Sequence, residues 1–185
     1  SYVKTGAGAF PFDTAISDIE KVRQLASIIS KTCSVLAENA YVISVDEPIL
    51  SVIVGRKLFF KYDERDIVGV YNDVRRSCRE RPTGSHVCGR ISPRLAEILL
   101  RTELDFLSHE FHDTAENFKV YDPRDLKENG KILSVGCVSS RNPKVETVDE
   151  ILKTMKKARE CGDDLIFTPD CGFKKLRADG PEVGY

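Results

Sequence analysis

Short apolar runs alternate with longer amphipathic segments along this 185-residue chain. The short runs have the length and pattern of β-strands and lie at residues 2–4, 41–48, 84–89, 104–111, 131–139 and 163–172. The longer segments carry apolar residues at helical spacing and lie at 16–39, 63–79, 93–101 and 148–161. Ser92 and Thr147 are placed to cap the last two of these helices. Because strands that alternate with helices favour a parallel sheet with right-handed crossovers, we predict an α/β fold.

Polar side chains that can carry chemistry lie at the carboxyl ends of the predicted strands. They are Asp46 and Glu47, His86 and Cys88, Glu110, Ser139 to Arg141, and Asp170 and Cys171. In a (β/α) barrel this edge is the catalytic face, and a doubly wound open sheet binds its ligands at the same edge. The pattern leaves both architectures open, and six strands are fewer than the eight that close the usual barrel.

Composition argues against several classes of function. Hydrophobic residues make up 41% and charged residues 31% of the chain, and the net charge of −1 provides no global field for nucleic acid or an anionic membrane. No apolar run reaches the roughly 18 residues of a membrane span, and the opening segment SYVKTGAGAF lacks the pattern of a signal peptide. Since six cysteines occur without a secretion signal, we expect free thiols and a cytoplasmic location.

Three of the strand-end residues indicate a metal site. His86 and Cys88 are two residues apart on one strand, so alternation sends both side chains to the same side. Imidazole nitrogen and thiolate sulfur are ligands that zinc accepts. Cys171 lies in the turn PDCG at the end of the last strand and can face the same edge. The alternative is structural, because cysteine is among the residues most often simply buried.

Glu110 is the candidate for an oxygen ligand. It ends another strand, and alternation sends its neighbour His109 to the opposite side, so we prefer Glu110 over His109. The alternative role of Glu110 is a salt bridge or a solvated strand end. His112 is either an outer contact of the site or an ordinary surface histidine.

Several segments resemble one known family. They are VDEP at 45–48, HVCG at 86–89, SHEF at 108–111, VGCVSSRNPKVETVDEI at 135–151 and TPDCGF at 168–173. Together they resemble the catalytic barrel of cobalamin-independent methionine synthase, in particular its short archaeal-type homologues. The resemblance implies a (β/α)8 TIM-barrel fold, of which residues 1–185 form one partial domain running from the third barrel strand to the eighth.

The resemblance also implies a ligand set and an activity. His86, Cys88, Glu110 and Cys171 fall at the family's zinc-ligand spacings of two, 22 and 61 residues. The implied activity is zinc-dependent transfer of a methyl group to the thiol of homocysteine, which gives methionine. Asp46 matches the position whose carboxylate binds the homocysteine amino group, and a carboxylate suits an ammonium through a charge-assisted hydrogen bond.

The chain departs from the family pattern in three ways. The first departure concerns the barrel, and the second concerns the proton donor. The first two barrel strands have no counterpart, so the sequence is a fragment, or a second chain or an oligomer completes the barrel, or the protein is degenerate. Arg141 stands where the family has a proton-donating histidine, and Ser139 replaces an aspartate of the same segment. Because arginine does not act as a general acid, we assign no catalytic residue beyond the zinc ligands. Arg141 could bind a carboxylate or a phosphate, or be solvated.

The third departure concerns the methyl donor. The chain contains no tryptophan, and FPFD at 10–13 stands where folate-binding members have an aromatic platform. The donor is therefore either methyl-folate or a methylated corrinoid protein, whose cobalt leaving group needs no proton. Two other hypotheses stay open: methyl transfer to another thiol such as coenzyme M, which offers Asp46 no ammonium, and a truncated homologue that binds zinc without catalysis.

Overall fold

The computed structural model describes residues 15–55 and 63–173. Within them, one parallel sheet contains five strands, which are β1 (Ile43–Glu47), β2 (Thr83–Val87), β3 (Phe106–Glu110), β4 (Ile132–Val138) and β5 (Leu165–Pro169). Each strand pairs with the next one in the chain. The five strands predicted for this part of the sequence are confirmed, and the candidate at 2–4 lies outside the described residues.

Helices connect the strands. They are α1 (Ile19–Leu36), α2 (Leu50–Ile53), α3 (Glu64–Ser77), α4 (Pro93–Leu100), α5 (Pro123–Glu128) and α6 (Val148–Ala158), with 3-10 turns at Ala15–Ser17, Ala115–Lys119 and Arg159–Cys161. The four predicted helices are confirmed within a few residues at their ends. The predicted caps are confirmed too, because Ser92 accepts from the backbone N–H of Leu95 and Thr147 from that of Glu150. The short helices α2 and α5 lie in segments for which no element was predicted.

The order of the strands decides between the two architectures. A doubly wound sheet reverses its strand order at a switch point, whereas the described strands run from β1 to β5 without a reversal. An unreversed order of parallel strands is that of a (β/α) barrel. The predicted α/β class is confirmed, but an incomplete barrel of six strands is not, because the described part of the chain contains five.

The two faces of the sheet differ in chemistry, because successive side chains on a strand point to opposite faces. On one face, Val87, Leu107 and Val135 pack with residues of α4 into the main apolar core. On the other face, the side chains in the middle of the sheet are polar and buried, as with His86 and Ser108. Burial of apolar area on the helix side stabilises the fold, and the polar face is left to position chemical groups.

The cysteines and the lengths of the helices complete the description of the fold. All six cysteines are free thiols, and Cys33, Cys78 and Cys161 are buried in or beside helices, as expected for structural cysteines. Among the residues that the structure describes, no helix has both the length and the apolar character that a membrane crossing requires.

Candidate functional site

Three of the predicted ligands converge at the carboxyl edge of the sheet. His86 is on β2, Cys88 follows that strand, and Cys171 follows β5. One ligand atom of each lies within 4.8 Å of the other two, and the Cys88 and Cys171 sulfurs are 3.4 Å apart. Residues from strands distant in the sequence meet here because parallel strands end at a common edge of the sheet.

The imidazole of His86 is arranged as a ligand would be. Its Nδ1 lies 3.2 Å from Ser108 Oγ, and its buried Nε2 has no hydrogen-bond partner among the described residues. The side chain is 9% exposed. Burial lowers the pKa of His86 from its usual value, against an opposing pull from Asp46, Glu110 and Asp170. A neutral ring with one nitrogen fixed by a hydroxyl and the other unpartnered is the form that binds a metal.

The two thiols also fit a metal ion. Burial, together with the hydrogen bond to Cys171 and the nearby negative charges, raises the pKa of the Cys88 thiol to about 12. Such a thiol stays protonated at neutral pH unless a cation replaces its proton, as a coordinated metal does. One imidazole nitrogen and two sulfurs are the donor set that zinc prefers. The described residues at this edge therefore fit a zinc ion.

Glu110 lies at the same edge but is held by other groups. Its Oε1 accepts from the backbone N–H of Gly89 at 3.0 Å, and its Oε2 accepts from Arg141 Nη2 at 2.6 Å and from Thr114 Oγ1 at 3.2 Å. The glutamate is 2% exposed. It is not part of the cluster formed by His86, Cys88 and Cys171, so its role as a zinc ligand stays a prediction. The salt bridge considered as its alternative is present.

Gly89 helps to place the carboxylate of Glu110. Its φ of +82° lies in the left-handed region, where a side chain would be strained. The buried amide of Asn117 fixes the same turn, since its Nδ2 donates to the carbonyls of Gly89 and Glu110 at 3.1 and 2.7 Å. Sequence reasoning missed Asn117, because a single asparagine between predicted elements carries no signal of which groups its amide contacts.

Asp170 connects the end of β5 to the loop after β3. Its Oδ1 accepts from the backbone N–H groups of Phe111 and His112 at 3.0 Å each, and its Oδ2 accepts from that of Asp113 at 2.6 Å. The carboxylate is fully buried. Burial raises its pKa, and the three backbone donors oppose that rise. Sequence reasoning placed Asp170 at a strand end without a role, and the structure gives it the task of joining the segments that carry Cys171 and Glu110.

The remaining candidates are also placed by the structure. Asp46 is exposed and pairs in register with His86, so both side chains lie on the polar face.

The two other histidines lie away from this cluster. His109 points to the opposite face, as predicted, and its Nε2 lies 2.9 Å from Tyr121 Oη. His112 is half-buried, with Nδ1 3.0 Å from Asp113 Oδ1. His112, Asp113 and Asp170 form a second group of ligand types, but three backbone N–H groups already occupy the Asp170 carboxylate.

Arg141 and Ser139 occupy the loop after β4. Ser139 Oγ accepts from the backbone N–H of Arg141 at 3.2 Å and of Asn142 at 3.1 Å, and it donates to Asp113 Oδ2 at 2.8 Å. The serine is buried, and the Arg141 side chain reaches from this loop to Glu110. Of the roles left open for Arg141, the structure places it on a carboxylate of the protein itself.

Comparison with known proteins gives one consistent result. The chain is similar to methionine synthases of Methanocaldococcus jannaschii (27% identical, covering 88% of this chain and 52% of that protein), Methanothermobacter thermautotrophicus (31%, 75% and 42%) and Pyrococcus abyssi (32%, 84% and 44%). The chain thus spans about half the length of the curated relatives it matches.

Solved structures agree on the fold. A B12-independent methionine synthase from Shewanella sp. W3-18-1, in complex with selenomethionine, has a TM-score of 0.66 at 19% identity, covering 86% of this chain and 50% of that one. A putative vitamin-B12 independent methionine synthase from Listeria monocytogenes has a TM-score of 0.58 at 16% identity, covering 86% and 51%.

The profile described as "Cobalamin-independent synthase, Catalytic domain" matches residues 12–181, which is nearly the whole sequence. The unreversed parallel strand order agrees with this match. The chain therefore belongs to the family of cobalamin-independent synthase catalytic domains.

Proposed function

We propose that this chain contributes the metal centre of a methyl transfer to the thiol of homocysteine, with methionine as the product. The observation that carries the proposal is the convergence of one imidazole and two thiols on one point, with His86 Nε2 left without a hydrogen-bond partner among the described residues. The family membership and the names of the relatives support the choice of substrate.

A thiol is a weak nucleophile at neutral pH, because the thiolate is the attacking form. Zinc bound at His86, Cys88 and Cys171 would act as a Lewis acid that keeps the substrate sulfur deprotonated. Two thiolate ligands suit this task, since they leave a bound sulfur electron-rich. The family resemblance predicts Glu110 as a fourth ligand, but its carboxylate contacts Arg141 and would have to leave that contact to reach the ion.

Asp46 would bind the ammonium group of homocysteine. It is exposed at the carboxyl edge and lies beside His86 in the strand register, so a substrate whose sulfur reaches the metal donors can place its amino group near this carboxylate. A charge-assisted hydrogen bond of this kind holds and orients a substrate. Coenzyme M, the substrate of the competing hypothesis, has no amino group for Asp46 to bind.

The methyl donor and the partners belong to the same proposal. Methyl-folate and a methylated corrinoid protein are both candidates, and Arg141 at the proton-donor position favours the corrinoid, because cobalt leaves without a proton.

Since the chain spans about half the length of its relatives, we propose that further polypeptide, in the same chain or in a second one, supplies the rest of the barrel. Free thiols agree with the expected cytoplasmic location.

The test is a methyl-transfer assay on the zinc-loaded chain. Homocysteine is supplied with methylcobalamin in one arm and methyl-folate in the other, and methionine is quantified. Methionine from either arm, absent in a His86→Gln variant and present in Cys161→Ala, supports the proposal. Methylation of coenzyme M without methylation of homocysteine would transfer support to the competing substrate. No product in any arm from zinc-loaded protein would show that this chain alone does not catalyse the transfer, as expected for a non-catalytic zinc-binding homologue or for a chain that needs the rest of the barrel.

A further inference from the structure

We propose that Arg141 withholds Glu110 from the metal, so that the metal centre of this chain has three protein ligands and an open position for the substrate thiol. The inference rests on the proposed function, because it assumes a zinc ion at His86, Cys88 and Cys171. It assigns Arg141 a positioning role that acts through Glu110.

The first support is the set of contacts made by Glu110. Both of its carboxylate oxygens are occupied, Oε1 by the N–H of Gly89 at 3.0 Å and Oε2 by Arg141 Nη2 at 2.6 Å. Thr114 Oγ1 adds a third donor to Oε2. These charge-assisted hydrogen bonds hold the carboxylate in its present position, and they have to be broken or rearranged before it can bind a cation. Glu110 accordingly lies outside the cluster that brings together His86, Cys88 and Cys171.

The second support is the difference in burial between the partners. The side chain of Glu110 is 2% exposed and that of Arg141 is 56% exposed. A buried carboxylate without a partner is costly, so Glu110 needs either Arg141 or a metal ion to compensate its charge. The two cations therefore compete for one carboxylate.

The third support is the way in which the arginine is held. Ser139 Oγ accepts from the backbone N–H of Arg141, and Ser139 is itself fixed by its bond to Asp113 Oδ2 and by the bond from its N–H to Glu146 Oε1. The loop is thus anchored before the side chain extends toward Glu110. Ser139 and Arg141 are the two residues of this loop that differ from the family's pattern. Together they hold the Arg141 side chain against Glu110.

Charge and ligand count agree with an open position. A Zn²⁺ ion with two thiolates and a neutral imidazole carries no net charge, and the pair of Arg141 and Glu110 adds none. Catalytic zinc sites have three protein ligands and leave the fourth position to water or substrate. With Glu110 held by Arg141, the fourth position is available to a thiol without first displacing a protein ligand.

The experiment is a double-mutant cycle on zinc affinity, measured by competition with a chelator on the full chain. The variants are Arg141→Met, Glu110→Gln and both together, with Arg124→Met as a control for the loss of an exposed, ion-paired arginine. We expect Glu110→Gln alone to change the zinc Kd by less than about threefold. Arg141→Met should tighten zinc binding about tenfold, and adding Glu110→Gln should abolish that gain, because the freed carboxylate is the added ligand. Arg141→Lys should behave like the unsubstituted chain.

A second readout is homocysteine binding to the zinc-loaded protein. Arg141→Met should weaken it about tenfold, and the double variant should restore it. A gain in zinc affinity that persists in the Gln background would assign the effect to simple charge repulsion and overturn the inference, as would a strong loss of zinc affinity in Glu110→Gln alone. If the unsubstituted chain binds no zinc, the proposed function and this inference fail together. If zinc binds and the cycle shows no coupling, this inference alone fails.

Discussion

The sulfur atoms of Cys88 and Cys171 lie 3.4 Å apart, although 83 residues separate the two cysteines in the sequence. Neither thiol is in a disulfide. The parallel pairing of β2, β3, β4 and β5 brings them together, because each strand in the series delivers its carboxyl end to the same edge. The pair is therefore a product of the whole sheet and not of a local motif.

Gly136 is expected to tolerate no side chain. A Cβ at this position of β4 would meet Asp170, with the Asp170 Cα at 2.6 Å and the carbonyl oxygen of His109 at 3.0 Å. Backbone atoms cannot move aside cheaply, so Gly136→Ala should lower the free energy of unfolding by at least about 2 kcal/mol. Gly69→Ala in α3 is the matched control, because its Cβ would meet nothing within 4 Å, and a helical alanine should stabilise by about 1 kcal/mol. Chemical denaturation gives the free energy of unfolding of both variants. Equal changes in the two variants would contradict the close approach of Asp170 to Gly136.

Asp170→Asn tests the link between β5 and the loop after β3. The amide oxygen can still accept two backbone N–H groups, but the new NH2 group would replace one carboxylate oxygen and face a donor. We expect a loss of about 1–3 kcal/mol in the free energy of unfolding, since one buried backbone N–H would be left without a hydrogen-bond acceptor. Asp163→Asn, at an exposed position two residues before β5, should change stability by less than about 0.5 kcal/mol. Thermal or denaturant unfolding provides the measurement, and an unchanged midpoint for Asp170→Asn would refute this role.

Substitution of Asp46 separates the two candidate substrates. Asp46→Asn should weaken homocysteine binding to the zinc-loaded chain by about 10- to 100-fold, the equivalent of one hydrogen bond to a charged group. Binding of coenzyme M, which has no ammonium group, should change little. Ser44→Ala, exposed on the same strand two residues earlier, serves as the control. Calorimetric titration of both thiols into both variants gives the comparison, and equal losses for the two thiols would rule out an ammonium contact.

The start of α6 predicts a specific pH dependence. Glu150 completes a capping box with Thr147, and hydrogen bonds from the backbone and side chain of Thr147 together with Lys144 lower the pKa of Glu150 to about 2. A carboxyl whose folded pKa lies below its unfolded value stabilises the fold above the unfolded pKa, and the stabilisation is lost as the pH falls from about 4.5 to about 2. Glu150→Gln should therefore show a smaller loss of stability across this window than the unsubstituted chain. Denaturant midpoints at pH 5, 4 and 3 test it, and parallel curves would argue against the capping box.

Much of the fold could be predicted from the sequence, because it depends on patterns with a clear period. The alternation of His86 and Cys88 placed both on one face, and it also sent His109 to the other, where it meets Tyr121. Ser92 and Thr147 marked helix starts through capping chemistry that is local in the sequence. The short helix α2 was missed, since four residues carry too little periodicity to be recognised.

The arrangement within the site was harder to predict. Strand ends indicated that Glu110 would be near the metal ligands, but which cation it meets depends on the reach of the long Arg141 side chain from a separate loop. Asn117 and Asp170 satisfy backbone groups of several segments at once. Such contacts are fixed by the assembled tertiary structure and leave no pattern in the sequence around either residue.

Zinc affinity of a Cys171→Ser variant tests the metal centre most directly. Chelator competition should find one zinc per unsubstituted chain, an affinity lower by on the order of a hundredfold or more in Cys171→Ser, and an unchanged affinity in Cys161→Ala, whose cysteine is buried elsewhere. Equal zinc content and affinity in Cys171→Ser and the unsubstituted chain would contradict a site shared by His86, Cys88 and Cys171.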